Sequence, residues 1–256
     1  MTNSDAAPGK TTSETIQVLN ARQSIRKYAS TPVTDAQIDA ILGAALRAPT
    51  SSNLQAYSVI VVRDPEIKSQ LAVPCGNQKH IVDCPVFLAF CADLTRVENA
   101  FSRHGHDLDD NNLELGLVAT IDASLVGMAA YVAADSLGIQ GVMIGAMRNK
   151  PEAIAEILGL PKRVYAVFGM CLGYPSETPK QKPRMPVSGI VHHDKYDAKA
   201  ALQAIDPYDA QLKAHYDSIG KESTTASWTD DVDAKFSNRP RDGLRAALKA
   251  RGYDFT

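Results

Sequence analysis

The sequence predicts an α/β or α+β fold, with a central sheet covered by helices on both faces. Two continuous apolar runs, 85–91 and 164–172, are typical of strands that are buried on both sides. Around them, apolar residues recur at steps of three and four along several segments, which is the period of an amphipathic helix. Helix and strand patterns alternate through the core, the order expected when helices cover a sheet.

After a short first helix, the first half of the core contains a helix that has a clear start and stop. Thr34 and Gln37 form the pattern of a capping box. Apolar residues follow along one face through Leu46, and Pro49 ends the helix. Beyond it, the β-branched run 57–62 predicts a strand, and the next residues predict a short helix that ends at Leu71.

The second half contains a polar insert, 103–112, and then a long apolar segment, 113–139. Three acidic residues interrupt this segment, so a buried helix explains it better than a membrane span does. Its large apolar residues recur at helical steps, and its glycines and alanines would let another helix approach closely. Residues 141–145 predict a short strand, and 151–158 predict a helix that begins with proline.

The ends of the chain differ from the core in composition. Residues 1–13 are polar, lack the apolar centre of a signal peptide, and predict a flexible tail. Prolines after Gly173 mark an extended arm, and a polar, helix-forming segment follows from about residue 206. No repeat or linker-like stretch divides the sequence. We therefore expect one domain, with a core at 14–196 and a helical extension of the same domain at 197–256.

The composition excludes several classes of function. A formal net charge of −2 and a pI near 6.3 give no bulk positive field for nucleic acid or an anionic membrane, so neither is an expected partner. Four cysteines without a Cys-x-x-Cys pair do not make a disulfide framework and indicate reduced thiols in a cytoplasmic protein. The loop with His104 and His106 lacks regular ligand spacing, and no metal site is expected.

Five short clusters contain the side chains that could carry chemistry. Residues 22–28 combine three cations with a serine hydroxyl, which suits a phosphate monoester. Residues 49–55 offer hydroxyls and amides to a polar heterocycle. Residues 76–80 bring amide, ammonium and imidazole groups into one loop, and the glycines of 141–149 allow the backbone to approach a flat ligand. In 182–184, two cations flank a proline.

Taken singly, each cluster also fits an ordinary structural feature, namely a basic helix end, a turn, a surface loop, a strand end or a linker. The sequence has no Gly-x-Gly-x-x-Gly, Walker or Gly-x-Ser-x-Gly motif, so the usual nucleotide folds and serine hydrolases gain no support. The order of the five clusters, and the elements between them, distinguish a ligand site from these alternatives.

In this order, the clusters resemble the nitroreductase and flavin reductase family, most closely its branch of oxygen-insensitive NADPH nitroreductases and NADPH–FMN oxidoreductases. The resemblance runs from about residue 16 to the end of the chain and is strongest up to about residue 196. Its most specific pieces are Ser24-Ile25-Arg26, Gly76-x-Gln78-Lys79-His80, Phe90-Cys91-Ala92-Asp93, Gly141-Val142-x-Ile144-Gly145 with Arg148-Asn149, Cys171-Leu172-Gly173-x-Pro175 and Lys182-Pro183-Arg184.

The resemblance implies an α+β sandwich with a central mixed sheet, assembled as a homodimer with FMN between the subunits. The long apolar helix suits the dimer interface, although the core of a monomer would look the same. The resemblance also implies that Ser24, Arg26, Lys182 and Arg184 hold the FMN phosphate and that the Gly145 N–H faces flavin N5. The implied cofactor-binding residues are Arg22, Gln23, Ser24, Arg26, Thr50, Ser52, Asn53, Gln55, Gln78, Lys79, His80, Met143, Ile144, Gly145, Ala146, Lys182 and Arg184.

Some positions depart from this branch. Arg22 stands where the branch has histidine, and Ala146 stands where it has glycine. The branch uses arginines before a tail tryptophan to hold the 2′-phosphate of NADPH, whereas 220–228 contains no arginine. We therefore expect a weaker preference for NADPH, with NADH as an alternative donor. Lys221 in this stretch and Glu114, which aligns with an acidic active-site residue of the family, are the expected substrate-binding residues.

The implied activity is a ping-pong reduction. NADPH or NADH gives hydride to N5 of FMN, and a nitroaromatic, a quinone or a free flavin then takes the electrons. No catalytic side chain is expected, because the flavin performs the redox chemistry. Two alternatives keep FMN: a dedicated substrate for ene reduction or dehalogenation, and a flavin-binding protein with little turnover. A third is an α/β binding module whose basic clusters are surface features.

Overall fold

The structure is a computed structural model that describes residues 11–220, 227–238 and 241–255. It divides into two compact units. The first consists of Met1–Pro179 together with Gly243–Thr256, and it contains the sheet. The second, Lys180–Asp242, contains helices and no strand in its described residues. The predicted boundary between core and extension at residue 196 stays a prediction.

The secondary structure follows the predicted order of helices and strands, with some additions. The first unit contains α1 (Glu14–Ala21), α2 (Asp35–Ala45), β1 (Tyr57–Val62), α3 (Pro65–Ala72), α4 (Lys79–Asp83), β2 (Val86–Asp93), α5 (Thr95–Ser102), α6 (Leu113–Ser136), β3 (Gln140–Ile144), α7 (Pro151–Ile157) and β4 (Val164–Gly173). The second unit contains α8 (Ala198–Gln203), α9 (Ile205–Ser218) and α10 (Trp228–Phe236), and the chain then returns to the first unit as α11 (Leu244–Ala250).

The four strands form one sheet in the order β1-β2-β4-β3. The α+β fold is therefore confirmed. Every strand pairing in the described part of the chain is antiparallel, so the expectation of a mixed sheet is wrong in this detail. The reason is topological: β2 and β3 run in the same direction, but β4 lies between them and separates them.

The sheet separates two apolar cores, as the predicted two-sided burial requires. Side chains alternate along β2, so that Leu88 and Phe90 face the core under α2 and α6. Phe87 and Cys91 face the opposite core, under α3 and α7. All eight residues of β2 are buried. Full burial of a large apolar side chain contributes about 1.5–3 kcal/mol, so these two layers hold the first unit together.

The local signals at α2 are confirmed in detail. The Thr34 hydroxyl accepts from the Gln37 N–H at 3.3 Å, and the Thr34 N–H donates to Gln37 Oε1 at 3.0 Å. This reciprocal pair satisfies backbone donors that a helix start leaves open. The predictions did not include α4 and α5.

The long helix α6 turns a different face to the core from the one its large residues suggest. Gly116, Ala123, Gly127 and Ala130 are buried, whereas its row of larger apolar residues is between 39% and 54% exposed. A Cβ on Gly127 would overlap the ring of Phe168. The glycines therefore admit aromatic rings, and the prediction that they admit another helix is wrong. The exposed row consists of Leu113, Leu117, Ile121, Leu125 and Met128.

By length and composition, α6 could cross a membrane. Half of its most apolar window is buried inside the fold. Its buried face packs against β2 and α2, in the first apolar core. This packing supports the prediction of a core helix.

Close packing at Gly141 gives a stability prediction. A Cβ at this position would overlap the backbone carbonyl oxygen of Cys171, which cannot move without distorting β4. We expect Gly141→Ala to lower the free energy of unfolding by about 3 kcal/mol or more. Gly43 is the control, since nothing lies within 4 Å of its added Cβ and it sits inside α2. Gly43→Ala should stabilise by about 0.5–1 kcal/mol. Urea unfolding measures both, and equal effects would contradict the packing described here.

Candidate functional site

The basic segment 22–28 lies along the edge of the sheet at β3 and β4. The Ile25 N–H donates to the Gly141 carbonyl at 3.0 Å, and the Ala29 N–H donates to the Tyr174 carbonyl at 2.8 Å. From α6, the Tyr131 hydroxyl donates to the Gln23 carbonyl at 2.6 Å. These bonds fix the backbone around Ser24 and Arg26 next to the start of β3.

Backbone amides of this segment already donate hydrogen bonds to a carboxylate, that of Glu177. Glu177 Oε1 accepts from the Arg26 N–H at 2.7 Å and from the Lys27 N–H at 3.1 Å. Two adjacent backbone donors beside basic side chains make an anion-binding geometry. The segment therefore holds an anionic oxygen in the structure itself.

The third cluster, 76–80, meets the first at His80. Burial lowers the pKa of His80, and the nearby charge of Arg26 lowers it further, against the opposing charges of Asp83 and Glu177. The imidazole is therefore neutral at pH 7, and its Nε2 is buried without a hydrogen-bond partner among the described residues. An unpaired buried nitrogen is unfavourable, and in a neutral imidazole this nitrogen either donates or accepts one hydrogen bond.

Gln78 and Lys79 of this cluster have partners close to it in the sequence. Gln78 Nε2 donates to the Cys75 carbonyl at 2.7 Å. Lys79 is exposed and pairs with Asp83 at 2.5 Å. Surface ion pairs of this kind contribute little, so the Lys79 ammonium can move to another anion at small cost.

The fourth cluster lies against the third. Cys75 Sγ lies 3.7 Å from Met147 Sδ, in the turn that follows β3. A Cβ added to Gly145 would have only one neighbour within 4 Å, Arg148 Nη2 at 3.7 Å, so this side of the backbone is open. The Ile144 side chain is buried, and Met143 is partly exposed. A flat ligand can therefore lie against the backbone here.

The second cluster forms a loop with an unusual backbone. This loop contacts α6 at a different point along the helix from the basic segment. Ser52, Asn53 and Gln55 have φ values of 48°, 55° and 51°, in the left-handed region. The loop bonds to Asp122, nine residues before Tyr131, which is about 13 Å along the helix axis. The structure therefore brings three clusters together around β3 and places this one apart, with Thr50 at its start.

Comparison with known proteins shows the family. The model of the nitroreductase family matches residues 19–174, and that of the nitroreductase family C-terminal domain matches 182–256. The chain belongs to the nitroreductase family. The predicted resemblance is therefore confirmed. The gap between the two matches contains the point, after Pro179, at which the structure divides into its two units.

Two curated relatives align with nearly the whole nitroreductase chain. The NADPH-flavin oxidoreductase of Vibrio harveyi is 34% identical over 238 residues, which cover 93% of this chain and 97% of the relative. The oxygen-insensitive NADPH nitroreductase of Salmonella typhimurium is 37% identical over 247 residues, which cover 94% and 98%.

Solved structures agree with the fold. NfrA2 of B. megaterium superposes with a TM-score of 0.91 at 34% identity and covers 96% of this chain and 100% of its own. The NADPH:FMN oxidoreductase of Vibrio harveyi, solved with NAD+, superposes with a TM-score of 0.84 at 34% identity and covers 93% and 97%.

In this nitroreductase, the fifth cluster belongs to the second unit and is held there by α9. The Lys182 ammonium lies 5.0 Å from the centre of the Tyr216 ring, and the Tyr208 hydroxyl donates to the Pro183 carbonyl at 3.2 Å. Arg184 Nη1 donates to the Lys182 carbonyl at 3.1 Å. The predicted residue Lys221 lies outside the described residues.

The start of α6, which carries Glu114 in its first turn, is held by a buried arginine. Arg163 pairs with Asp110 at 2.6 Å and donates to the Leu108 carbonyl at 2.9 Å. Both partners belong to the insert 103–112. The insert that precedes Glu114 is therefore tied to the core.

Four residues that organise the site were not among the sequence predictions of site residues: Asp122, Tyr131, Glu177 and Arg96. Each bonds to the backbone of a segment distant in sequence. Such bonds leave no local pattern. One signal was available, since Asp122 is the one charged residue in the stretch 115–134 of this helix.

Opposite charges around His80 give a prediction for its titration. Arg26→Met removes a positive charge and should raise the pKa of His80 toward its usual value. Glu177→Gln removes a negative charge and should lower the pKa of His80 further. NMR titration of the His80 imidazole in the ligand-free protein measures both shifts. Shifts of the same sign, or none, would show that the first and third clusters do not meet as described.

Proposed function

We propose that this chain is an FMN-dependent oxidoreductase that takes hydride from NADPH or NADH and reduces small electrophilic acceptors such as nitroaromatics, quinones or flavins. The family supports this proposal, as do relatives named NADPH-flavin oxidoreductase, NADPH nitroreductase and FMN reductase. The observation that carries it is the meeting of an anion-binding segment, a neutral imidazole and an open glycine backbone around β3.

The residues present fit FMN. The amides of Arg26 and Lys27 already bind one carboxylate oxygen, and a phosphate offers the same kind of acceptor. Buried His80 Nε2 needs a hydrogen-bond partner, and the flavin ring edge offers both an N–H donor and carbonyl acceptors. The open side of Gly145 leaves room for a flat ring. In this proposal, Arg22, Gln23, Ser24 and Arg26 serve the phosphate end.

Bound FMN would supply the redox chemistry, taking up hydride and passing electrons on. The chain binds and orients, and no side chain is required as an acid or base for hydride transfer. Lys79 would stabilise negative charge on the ring; Arg26 is the alternative in this role, and it would then not serve the phosphate end. The backbone from Met143 to Ala146 supports the ring, and the loop from Thr50 to Gln55 serves the sugar chain and ring.

The remaining predicted residues have the following proposed roles. Lys182 and Arg184 contribute to the phosphate, while Glu114 and Lys221 serve the substrates. The stretch 220–228 contains no arginine, so we do not assign a firm preference for NADPH over NADH. A cytoplasmic location is part of the proposal, because all four cysteines are buried and free.

We propose a homodimer on the basis of the exposed face of α6. Its apolar row, defined above, is unusual for a surface helix, and contiguous apolar surface commonly marks an interface. A groove of about 680 Å³ between α1, the end of α2 and α6 extends this surface. A second copy of the chain would cover it, and FMN would lie between the subunits. Sedimentation should show a particle of two chains.

An anaerobic titration tests the proposed function. The purified protein should bind one FMN per chain. NADPH or NADH should bleach the flavin, and a nitroaromatic should restore its colour. Steady-state rates with both donors should show at most a weak preference for NADPH and measurable use of NADH; a strong NADPH preference would contradict that expectation.

Three results would support other readings. Bound flavin that neither donor bleaches would favour a binding protein with little turnover. A protein that takes up no FMN would favour the binding module. Bleaching followed by slow return with nitroaromatics and quinones would favour a dedicated substrate.

A further inference from the structure

A buried carboxylate on α6 closes the loop between α2 and β1. Asp122 is completely buried. Its Oδ1 accepts from the Ser51 N–H and its Oδ2 from the Ala56 N–H, each at 3.1 Å. A buried carboxylate is unfavourable unless such donors compensate it. Because its two oxygens take the two ends of the segment 51–56, the side chain draws those ends together.

The residues between these ends adopt strained backbone conformations. Ser52, Asn53 and Gln55 are left-handed, although none of them is glycine. Non-glycine residues persist in this region only where the surroundings enforce it, and such outliers cluster at ligand sites. All three side chains are exposed. The closed loop therefore presents polar side chains to the outside. Without the bonds to Asp122, its backbone would leave the left-handed conformation.

A second anchor holds the far end of the loop. Arg96 Nη2 donates to the Gln55 carbonyl at 2.9 Å and to the Tyr57 carbonyl. Arg96 itself pairs with Asp93 at 3.2 Å, and Asp93 accepts from the Ser58 hydroxyl at 2.5 Å. Asp122 binds the amides and Arg96 binds the carbonyls. The two charges thus fix the same loop through opposite backbone groups.

We propose that Asp122 is a positioning residue for the flavin, which acts by holding Ser52, Asn53 and Gln55 in their left-handed conformation. This inference rests on the proposed function, in which the loop serves the sugar chain and ring. Asp122 touches no ligand itself. A purely structural role would give a different result, since loss of Asp122 would then lower stability and leave the affinity of the folded protein unchanged.

The variant Asp122→Asn tests the proposal. The amide keeps one acceptor oxygen but turns its own N–H₂ toward the second backbone N–H, so that one end of the loop is released. We expect affinity for FMN and for riboflavin to fall by about tenfold each, because the phosphate is held elsewhere. The residual bound flavin should show a shifted visible spectrum, since its ring surroundings change.

A matched control lies four residues further along the same helix. Val126 is completely buried in the apolar core. Val126→Ala should lower stability, whereas its affinity for both flavins should stay within about twofold of the unchanged protein. Both variants are titrated well below their melting temperatures, so that only folded protein is compared.

A second variant covers the outcome in which Asp122→Asn does not fold. Ser51→Pro removes one N–H donor at an exposed position and leaves Asp122 in place. Thr50 before it is extended, at φ −129° and ψ 150°, which is compatible with a following proline. Weaker binding of both flavins is expected again.

Flavin affinities of Asp122→Asn or Ser51→Pro within about twofold of the unchanged protein would overturn the proposal. Failure of the unchanged protein to bind FMN would instead overturn the proposed function. The two failures are therefore distinguishable in one set of titrations.

Discussion

The buried face of α6 packs against the sheet through glycine and alanine, and most of the site depends on that contact. The ring of Phe168 in β4 fills the space that a side chain at Gly127 would take. It also stacks on Phe90 of β2, with ring centres 5.1 Å apart. Any side chain larger than hydrogen at position 127 would displace α6 from the sheet. Because steric contact fixes the helix against the strands, the polar residues that it carries inward are fixed as well.

Those polar residues are Asp122 and Tyr131. One closes the loop after α2, and the other holds the basic segment at Gln23. The helix thus sets the spacing between the two segments, about 13 Å along its axis. The opposite face of α6 is apolar and exposed. One helix therefore serves as core, as support for two clusters and, in our proposal, as the dimer interface.

Much of the fold was predictable from the sequence because its signals are local. The capping box at Thr34, the β-branched run of β1 and the apolar runs of β2 and β4 each identify an element without reference to the rest. The orientation of α6 was not predictable, since periodicity reports an apolar face but not its partner. The small residues that face the aromatic rings contribute less to the hydrophobic pattern of the helix than the large residues that face outward. Strand order likewise depends on contacts between distant segments.

The candidate site divides in the same way. Composition identified all five clusters, and the structure brings three of them together around β3. Glu177 could not be found from the sequence, because its partners are backbone amides about 150 positions away. The individual roles of the site residues, from Arg22 to Arg184, stay predictions. The structure adds a reason for the order of the clusters. Gly141, at the start of β3, bonds to the anion-binding segment, and the open turn at Gly145 follows the same strand.

Above all, we propose that the segment around Ser24 and Arg26 binds a phosphate group. The most direct test compares the affinities of the flavin-free protein for FMN and for riboflavin, which differ only in that group. Several charge-assisted hydrogen bonds to phosphate predict that FMN binds more tightly by on the order of a hundredfold or more. Equal affinities for the two flavins would contradict the account.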